Sequence, residues 1–289
     1  MKITFLGTSG ANAYPEAFCS CPNCEQARKE GGKSLRKRSS LLVNDDFLID
    51  LGPDIMTSAQ IHNLSLTNVR YCIQTHPHSD HLDVSHFISR SPILGVKNAP
   101  LFSFYASPET LAFADEAFTH DVWDKGLLSA EQQEVLNCKC FSLQLYRPEN
   151  VGNYIVTAFK ANHAPGLGAY LYAIETDNQT VFYGSDTGVF FEETWQKMHE
   201  MNLKFEVVIL EHTMGIKDKS DFHLNAAQVV EHVNRMKNEG LMKENVVVYA
   251  THIAHDANPT YPELVEYAHQ HGYEIAYDGL VVDISRLNL

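Results

Sequence analysis

No stretch of this chain is apolar for long enough to cross a bilayer. Its longest runs, such as Glu206-Val207-Val208-Ile209-Leu210, fall far short of the ~20 residues a spanning helix needs. The segment Met1-Lys2-Ile3-Thr4-Phe5-Leu6-Gly7 carries one charge and a short β-type run, so it reads as a first strand rather than a signal peptide. Positive charge is scarce: 22 Lys and Arg stand against 36 Asp and Glu, a net charge of −14. That balance opposes nonspecific binding to nucleic acid or to an anionic membrane. It does not forbid a small phosphate ligand, because a bound metal can outweigh the global field. Internal repeats, low-complexity tracts and linkers are missing too, and 289 residues at 44% hydrophobic content read as one soluble α/β domain over residues 1–289. Six cysteines without a secretion signal point to a reducing, cytoplasmic setting. There thiols serve as ligands or core residues more than as disulfides.

Against that background one stretch is dense in chemistry. Thr75-His76-Pro77-His78-Ser79-Asp80-His81 packs three histidines and an aspartate into six positions, directly after the β-branched and aromatic run 69–74. Imidazole and carboxylate are the usual ligands of zinc, manganese and iron. Pro77 turns the chain at once after the strand. In such a loop His76 and His78 can face one way while Asp80 and His81 face another, which suits two adjacent metals. A polar loop facing solvent is the bland alternative, and H-x-H-x-D-H at a strand end is too specific for it.

A second dense stretch is Cys19-Ser20-Cys21-Pro22-Asn23-Cys24. Three thiolates at this spacing can wrap one tetrahedral zinc and leave a position for a distant ligand. A redox pair of Cys21 and Cys24, or inert thiols, are the competing readings. Arg28, Lys29, Lys33, Arg36, Lys37 and Arg38 form the one basic cluster, either a solvated face or a guide for an anionic substrate. Asp50, at the end of the strand 46–49, can orient a ligand imidazole by accepting its N–H. The acidic stretch 103–150 has three Lys or Arg against eight Asp or Glu. Cys138 and Cys140 there share one face of a strand and read as packing.

Further along, single ligand-type residues recur just after strands. His163 follows the run 153–161, Asp186 follows 179–183, and His252 follows 245–250. Each alone is weak. Glu211-His212 ends a strand over 206–211, and Asn225 caps an amphipathic helix over 226–237. Ligand residues at strand ends are what a rigid sheet scaffold with functional loops provides.

Taken in order, His76, His78, Asp80, His81, His163, Asp186 and His252 resemble the metal motifs of the metallo-β-lactamase superfamily. The resemblance covers nearly the whole chain and implies an αββα sandwich, two face-to-face sheets with helices outside. By motif, His76, His78 and His163 would hold one ion, Asp80, His81 and His252 the other, and Asp186 would bridge both. The cysteine cluster, His252-Ile253-Ala254-His255 and Ala276-Tyr277-Asp278-Gly279 look like the PhnP branch, phosphodiesterases associated with carbon–phosphorus lyase. That branch implies a structural zinc on Cys19, Cys21, Cys24 and His255, and manganese or zinc in the active site. It also implies 5-phosphoribosyl 1,2-cyclic phosphate or a similar small phosphorylated sugar or nucleotide as substrate. A hydroxide held between ions about 3.5–4 Å apart would attack phosphorus. Asp80 would orient it, and His223, placed where the family has a catalytic histidine, would protonate the leaving sugar oxygen. Glu211, His212 and the basic cluster receive no role from the resemblance, and a homodimer is left open.

Rival readings stay within the same fold. A PqqB-like protein of cofactor biosynthesis shares the cysteine motif but is tied to oxidation chemistry. A tRNA-processing nuclease shares the metal site but needs a basic arm for RNA. A noncatalytic metal-binding protein has no need of the full ligand set.

Overall fold

The structure is a computed structural model and describes residues 1–121, 124–176 and 178–287. Its strands are β1 (Lys2–Gly7), β2 (Ser40–Val43), β3 (Phe47–Ile49), β4 (Tyr71–Ile73), β5 (Phe102–Ala106), β6 (Cys138–Ser142) and β7 (Pro148–Val151). After these come β8 (Tyr154–Lys160), β9 (Tyr170–Glu175), β10 (Thr180–Gly184), β11 (Phe205–Glu211), β12 (Met242–Thr251), β13 (Glu274–Ile275) and β14 (Val281–Asp283). The helices are α1 (Pro22–Glu30), α2 (Ile55–Ile61), α3 (Ser85–Ser89), α4 (Pro108–Asp121), α5 (Ala130–Leu136), α6 (Glu192–Glu200), α7 (Ala226–Asn238) and α8 (Tyr261–Gln270).

The strands make two seven-stranded sheets, ordered β14-β1-β2-β3-β4-β5-β6 and β13-β12-β11-β10-β9-β8-β7. Within the first, three antiparallel pairings from β14 to β3 give way to three parallel ones from β3 to β6. The second repeats that pattern, antiparallel from β7 to β10 and parallel from β10 to β13. This internal likeness leaves no repeat in the sequence. The halves share only the pattern of alternating burial, which many residue choices satisfy.

Three apolar layers follow from strand periodicity, since successive side chains face opposite sides. Phe5, Leu41, Phe47 and Ile73 of the first sheet meet Tyr172, Val181, Val207 and Ile209 of the second in the central layer. The opposite face of the second sheet, with Phe182, Val208 and Leu210, packs on Trp195, Met198, Val229, Met236 and Leu264 of α6, α7 and α8. On the first sheet's outer face, Leu48, Cys72 and Phe104 pack under Phe87, Leu111 and Phe118 of α3 and α4. Helices therefore cover both outer faces, and the architecture is the αββα sandwich expected from the sequence. Strands covered on both faces read as continuous apolar runs; β10 and β11 are buried throughout.

Helix α7 begins as expected, with Asn225 accepting from Gln228 N and the Gln228 side chain reciprocating, a capping box. Three elements were not expected. Helix α1 runs through the cysteine cluster, with Cys21 as cap, Pro22 in its first turn and Gly31 closing it at φ 64°. Edge strand β7 starts on Pro148, whose missing N–H is tolerated only at an edge or a strand start. Two-residue β13 is too short to leave a pattern. The acidic stretch 103–150 supplies β5, α4, α5 and β6 rather than a separate arm, and Cys138 and Cys140 lie on β6 as ordinary strand residues.

Ile209→Ala, at a fully buried position between the sheets, is expected to lower unfolding free energy by roughly 2–5 kcal/mol in urea titration. On the exposed side of β8, Ile155→Ala should change it by less than about 1 kcal/mol. Equal losses would contradict the layer assignment.

Candidate metal centre

The histidine loop leaves the sheet at the end of β4. His81 N and Leu82 N both donate to His78 O and close a tight turn. His76 and His78 come to lie in one cluster, Asp80 and His81 in another. The other donors come from the second sheet: His163 after β8, Asp186 after β10 and His252 after β12. Asp186 and His252 take left-handed backbone, at φ 57° and 56°, and so does Asp50 after β3, at 65°. With a Cβ present this costs about 1–2 kcal/mol each. Such strain persists where surrounding contacts over-determine it, often at functional sites.

Asp186 is the hub. Its Oδ2 lies 3.1 Å from His76 Nε2, 3.3 Å from His163 Nε2, 3.4 Å from His81 Nε2 and 3.7 Å from His252 Nε2. His78 Nδ1 closes one group at 2.9 Å from His76 Nε2 and 3.2 Å from His163 Nε2. Asp80 Oδ2 closes the other at 3.2 Å from His81 Nε2 and 3.6 Å from His252 Nε2. Two four-residue groups thus share Asp186: His76, His78 and His163 on one side, Asp80, His81 and His252 on the other. Donors held about 2.0–2.2 Å from a common ion stand about 3.0–3.6 Å apart in tetrahedral or octahedral geometry, and most of these spacings fall there. Asp186 Oδ1 is buried and accepts no hydrogen bond among the described residues. His223 Nδ1 stands 3.1 Å from it, and seven His and Asp donors gathered about one buried carboxylate are the set that divalent cations take. The residues therefore fit divalent ions.

Four of the five imidazoles are aimed from behind; His78 instead presents Nδ1 to the site. His81 Nδ1 is 2.7 Å from Asp50 Oδ2, the contact the sequence position of Asp50 had pointed to. Thr75 Oγ1 holds His76 Nδ1 at 3.0 Å, Thr213 Oγ1 holds His252 Nδ1 at 2.7 Å, and Phe222 O holds His163 Nδ1 at 3.3 Å. Fixing Nδ1 presents Nε2 to the site and sets the tautomer. Asp50 is itself tied down by Thr75 N at 2.7 Å and by Gln74 Nε2 at 3.0 Å. Gly10 matters here because a Cβ on it would stand 3.2 Å from the His252 ring. The threonines and the Phe222 carbonyl carry no sequence signal, since their roles depend on loops meeting across the two sheets.

Charge within the centre is unevenly shared. Burial pushes His76 down to about 4, so its nitrogens are free of an extra proton at neutral pH. Burial would also raise Asp186, but His252, His223, His76 and His81 around it hold its carboxyl well below the usual range. For His81 burial opposes charge, yet Asp80 and Asp50 raise its pKa well above the ordinary imidazole value.

His223 belongs to neither of these two groups, but with Glu211 and His252 it makes a further set of donor atoms within 4.8 Å of one another. Its Nδ1 is 3.1 Å from Asp186 Oδ1 and 3.1 Å from Glu211 Oε1. Burial lowers its pKa, but Asp186 and Glu211 outweigh that and push it up to about 10. Glu211 is fully buried at the end of β11 and also accepts from Thr187 N at 2.8 Å and Thr213 N at 2.9 Å. Its neighbour His212 points into the fold, between Asn258 Oδ1 at 2.8 Å and Tyr273 Oη at 2.9 Å. A cleft of about 470 Å³ opens over the centre, with His78, Asp80, His163, Asp186, His223 and His252 in its walls.

Cys19, Cys21, Cys24 and His255 form a further four-donor group, their ligand atoms within 4.8 Å of one another. Cys21 Sγ is 3.7 Å from His255 Nδ1, near the edge of a tetrahedron with zinc–sulfur bonds of about 2.3 Å. The basic cluster does not reach the cleft. Arg36 is buried and donates to Thr8 Oγ1 at 2.8 Å and Ala276 O at 2.6 Å. Lys37 pairs with Asp278 at 3.4 Å, Arg38 pairs with Asp54 at 2.8 Å, and the Lys33 amine lies 4.0 Å over the Tyr277 ring. Arg28, Lys29 and Lys33 are exposed and make the solvated face, whereas Arg36 and Lys37 fasten the first strand region to the C-terminal segment 276–278 and Arg38 fastens it to Asp54.

Among the described residues no helix is long and apolar enough to cross a membrane. No curated protein sequence matches the chain. A solved diphosphatase of the PhnP family superposes with TM-score 0.71 at 18% identity, over 97% of this chain and 96% of its own. Zinc-bound PqqB from Methylobacterium extorquens gives 0.69 at 17%, over 98% and 100%. Human tRNase Z, short form, gives 0.62 at 16%, over 98% and 99%. At these identities the likeness concerns the fold. A sequence model described as a β-lactamase superfamily domain matches residues 46–253, from the strand that ends at Asp50 to the loop that carries His252. With most of its length matched in this way, the chain belongs to the metallo-β-lactamase superfamily of metal-dependent hydrolases.

Proposed function

We propose that this protein is a PhnP-like dinuclear metal phosphodiesterase acting on a small cyclic phosphodiester, 5-phosphoribosyl 1,2-cyclic phosphate or a close relative. The observation that carries this reading is the Glu211–His223 pair, 3.1 Å apart, beside seven His and Asp donors that share one carboxylate. His76, His78 and His163 would hold one ion, Asp80, His81 and His252 the other, with Asp186 common to the two groups. Manganese and zinc both suit these N and O donors. Bound there, a pair of divalent ions acidifies water and neutralises charge on phosphoryl oxygens.

The chain's own groups do the rest. Asp80 orients the attacking water as well as binding metal. Glu211 anchors His223 through Nδ1, which leaves Nε2 to give a proton to the departing sugar oxygen. A positioned acid of this kind contributes about 10²–10⁴-fold. The cleft of about 470 Å³ has the volume for a phosphorylated sugar. A nuclease reading is disfavoured because no Lys or Arg is among the residues lining the cleft and the chain carries a net charge of −14, which leaves no basic track there for a polyanion. The PqqB-like reading shares the cysteine group, for which we propose a structural zinc on Cys19, Cys21, Cys24 and His255. The complete His76/His78/Asp80/His81 set favours hydrolysis over it.

The decisive experiment is turnover of a panel by the metal-loaded protein: a ribose cyclic phosphate, 2′,3′- and 3′,5′-cyclic nucleotides, bis(p-nitrophenyl) phosphate, a diphosphate ester and a short RNA. Preference for the cyclic sugar phosphate is expected; preference for RNA, or no turnover at all, removes the assignment. His223→Ala should lower kcat by about 10²–10⁴-fold with active-site metal content unchanged by elemental analysis. Loss of metal in that variant would make His223 a ligand instead. Cys21→Ser should remove one zinc per chain and lower Tm, whereas an unaltered zinc content sinks the structural site.

A further inference from the structure

A second cavity, which shares no lining residue with the cleft over the metal centre, lies on the outer face of the first sheet. It is about 270 Å³ and opens between that sheet, α2, α3 and the segment 96–100. Leu48, Ile55, Val69 and Phe102 form its floor and walls, and all four are buried side chains. Apolar side chains that line open space forfeit contacts that a close-packed core would supply. Met56 and Val96 at the mouth are 43% and 37% exposed, so the apolar surface continues outward.

The charges at this cavity are unusual for an acidic protein. Among its lining residues are Arg90 and Lys97, and no Asp or Glu. Arg90 lies 4.4 Å over the Phe102 ring and donates to Pro100 O at 2.9 Å and Asn137 O at 3.3 Å. Those two bonds use part of a fork that carries five N–H donors. Among the described residues neither cation is paired with a carboxylate, although the chain carries 36 Asp and Glu. Burial lowers the Arg90 pKa, as expected for a cation short of counter-charge. An apolar chamber with cations and no acids at its edge is complementary to a molecule with an apolar body and an anionic end.

We propose that this cavity binds a small amphipathic anion. The apolar body lies on Leu48, Val69 and Phe102 under α2, and the carboxylate or comparable anionic head meets Arg90 and Lys97. The volume admits on the order of nine water-sized groups, which sets the scale of the body at a medium-length acyl chain or one substituted ring. This site takes no part in the proposed phosphodiester chemistry and stands or falls independently of it.

Octanoate is the probe, titrated calorimetrically into the metal-loaded protein with 1-octanol as its neutral counterpart. One octanoate per chain is expected, with octanol at least about tenfold weaker, since a charge-assisted contact is lost. Lys97→Met, on the exposed segment, should weaken octanoate several-fold, and Arg90→Gln more. Ala99→Trp, which fills the chamber, should abolish binding while metal content and Tm stay unchanged. If Arg90→Gln fails to fold, Lys97→Met and Ala99→Trp decide the matter alone. Absence of saturable binding overturns the proposal. So does octanol binding as tightly as octanoate, or octanoate binding that ignores Ala99→Trp. A concentration-dependent dimer that Val96→Asp dissolves, with no octanoate bound, would assign this face to a second copy of the chain and overturn it equally.

Discussion

Everything in this molecule converges on one oxygen. Asp186 Oδ2 has four imidazole nitrogens within 3.7 Å, drawn from the histidine loop of one sheet and the strand ends of the other. A buried carboxylate costs several kcal/mol unless positive charge answers it. No Lys or Arg is among the described residues that line its cleft. The answer comes from the surrounding histidines, with His223 Nδ1 at 3.1 Å from Oδ1 among them, or from bound cations. Rigidity is the second half of the constraint. Two sheets packed through Ile73, Tyr172, Val207 and Ile209 fix the ends of six strands relative to one another. The left-handed turns at Asp50, Asp186 and His252 then project three side chains that an ordinary strand exit would not.

Much of this was legible in the sequence for a physical reason. Metal sites demand particular residue types, and sheet scaffolds place them just after strands. His76, His78, Asp80, His81, His163, Asp186 and His252 are all brought into one centre, and Cys19, Cys21, Cys24 and His255 into another. Strand burial and the Asn225 cap were legible because periodicity and capping are local. Thr75 and Thr213 were not, because a hydroxyl supporting an imidazole looks like any other threonine until loops meet. The basic run 28–38 was legible only in part, for Arg28, Lys29 and Lys33 are exposed as a solvated face would have them. Charge on a sequence plot reads as surface, yet Arg36 is buried against Thr8 and Ala276. Helix α1 was hidden because its signals, Pro22 and Gly31, flank cysteines whose spacing invites a metal reading first.

The two metal groups are not independent bodies. His252 belongs to one and His255 to the other, three residues apart on the loop that follows β12. That loop is clamped to the first strand region, with Ile253 N donating to Thr8 O at 2.9 Å and Gly10 N to Ile253 O at 3.3 Å. Asn23 Nδ2 also donates to His255 O at 2.9 Å. Whatever orders the cysteine group therefore also fixes the backbone that presents His252. The structural zinc proposed for this group would thus act on the chemistry without touching substrate.

The pairing of β1 with β14 has a consequence for how the molecule is made. Residues 2–4 find their partners only at 281–283, and both donor groups are completed only by the 252–255 loop. At ribosomal speeds of about 5–20 residues per second, the opening strand stands with one edge bare for roughly 15 to 60 seconds. His76, His78, His163 and Asp186 are all made by residue 186, so one half of the centre precedes the 252–255 loop that completes the other half and the cysteine group. The two halves therefore become available to any ion at different points of synthesis.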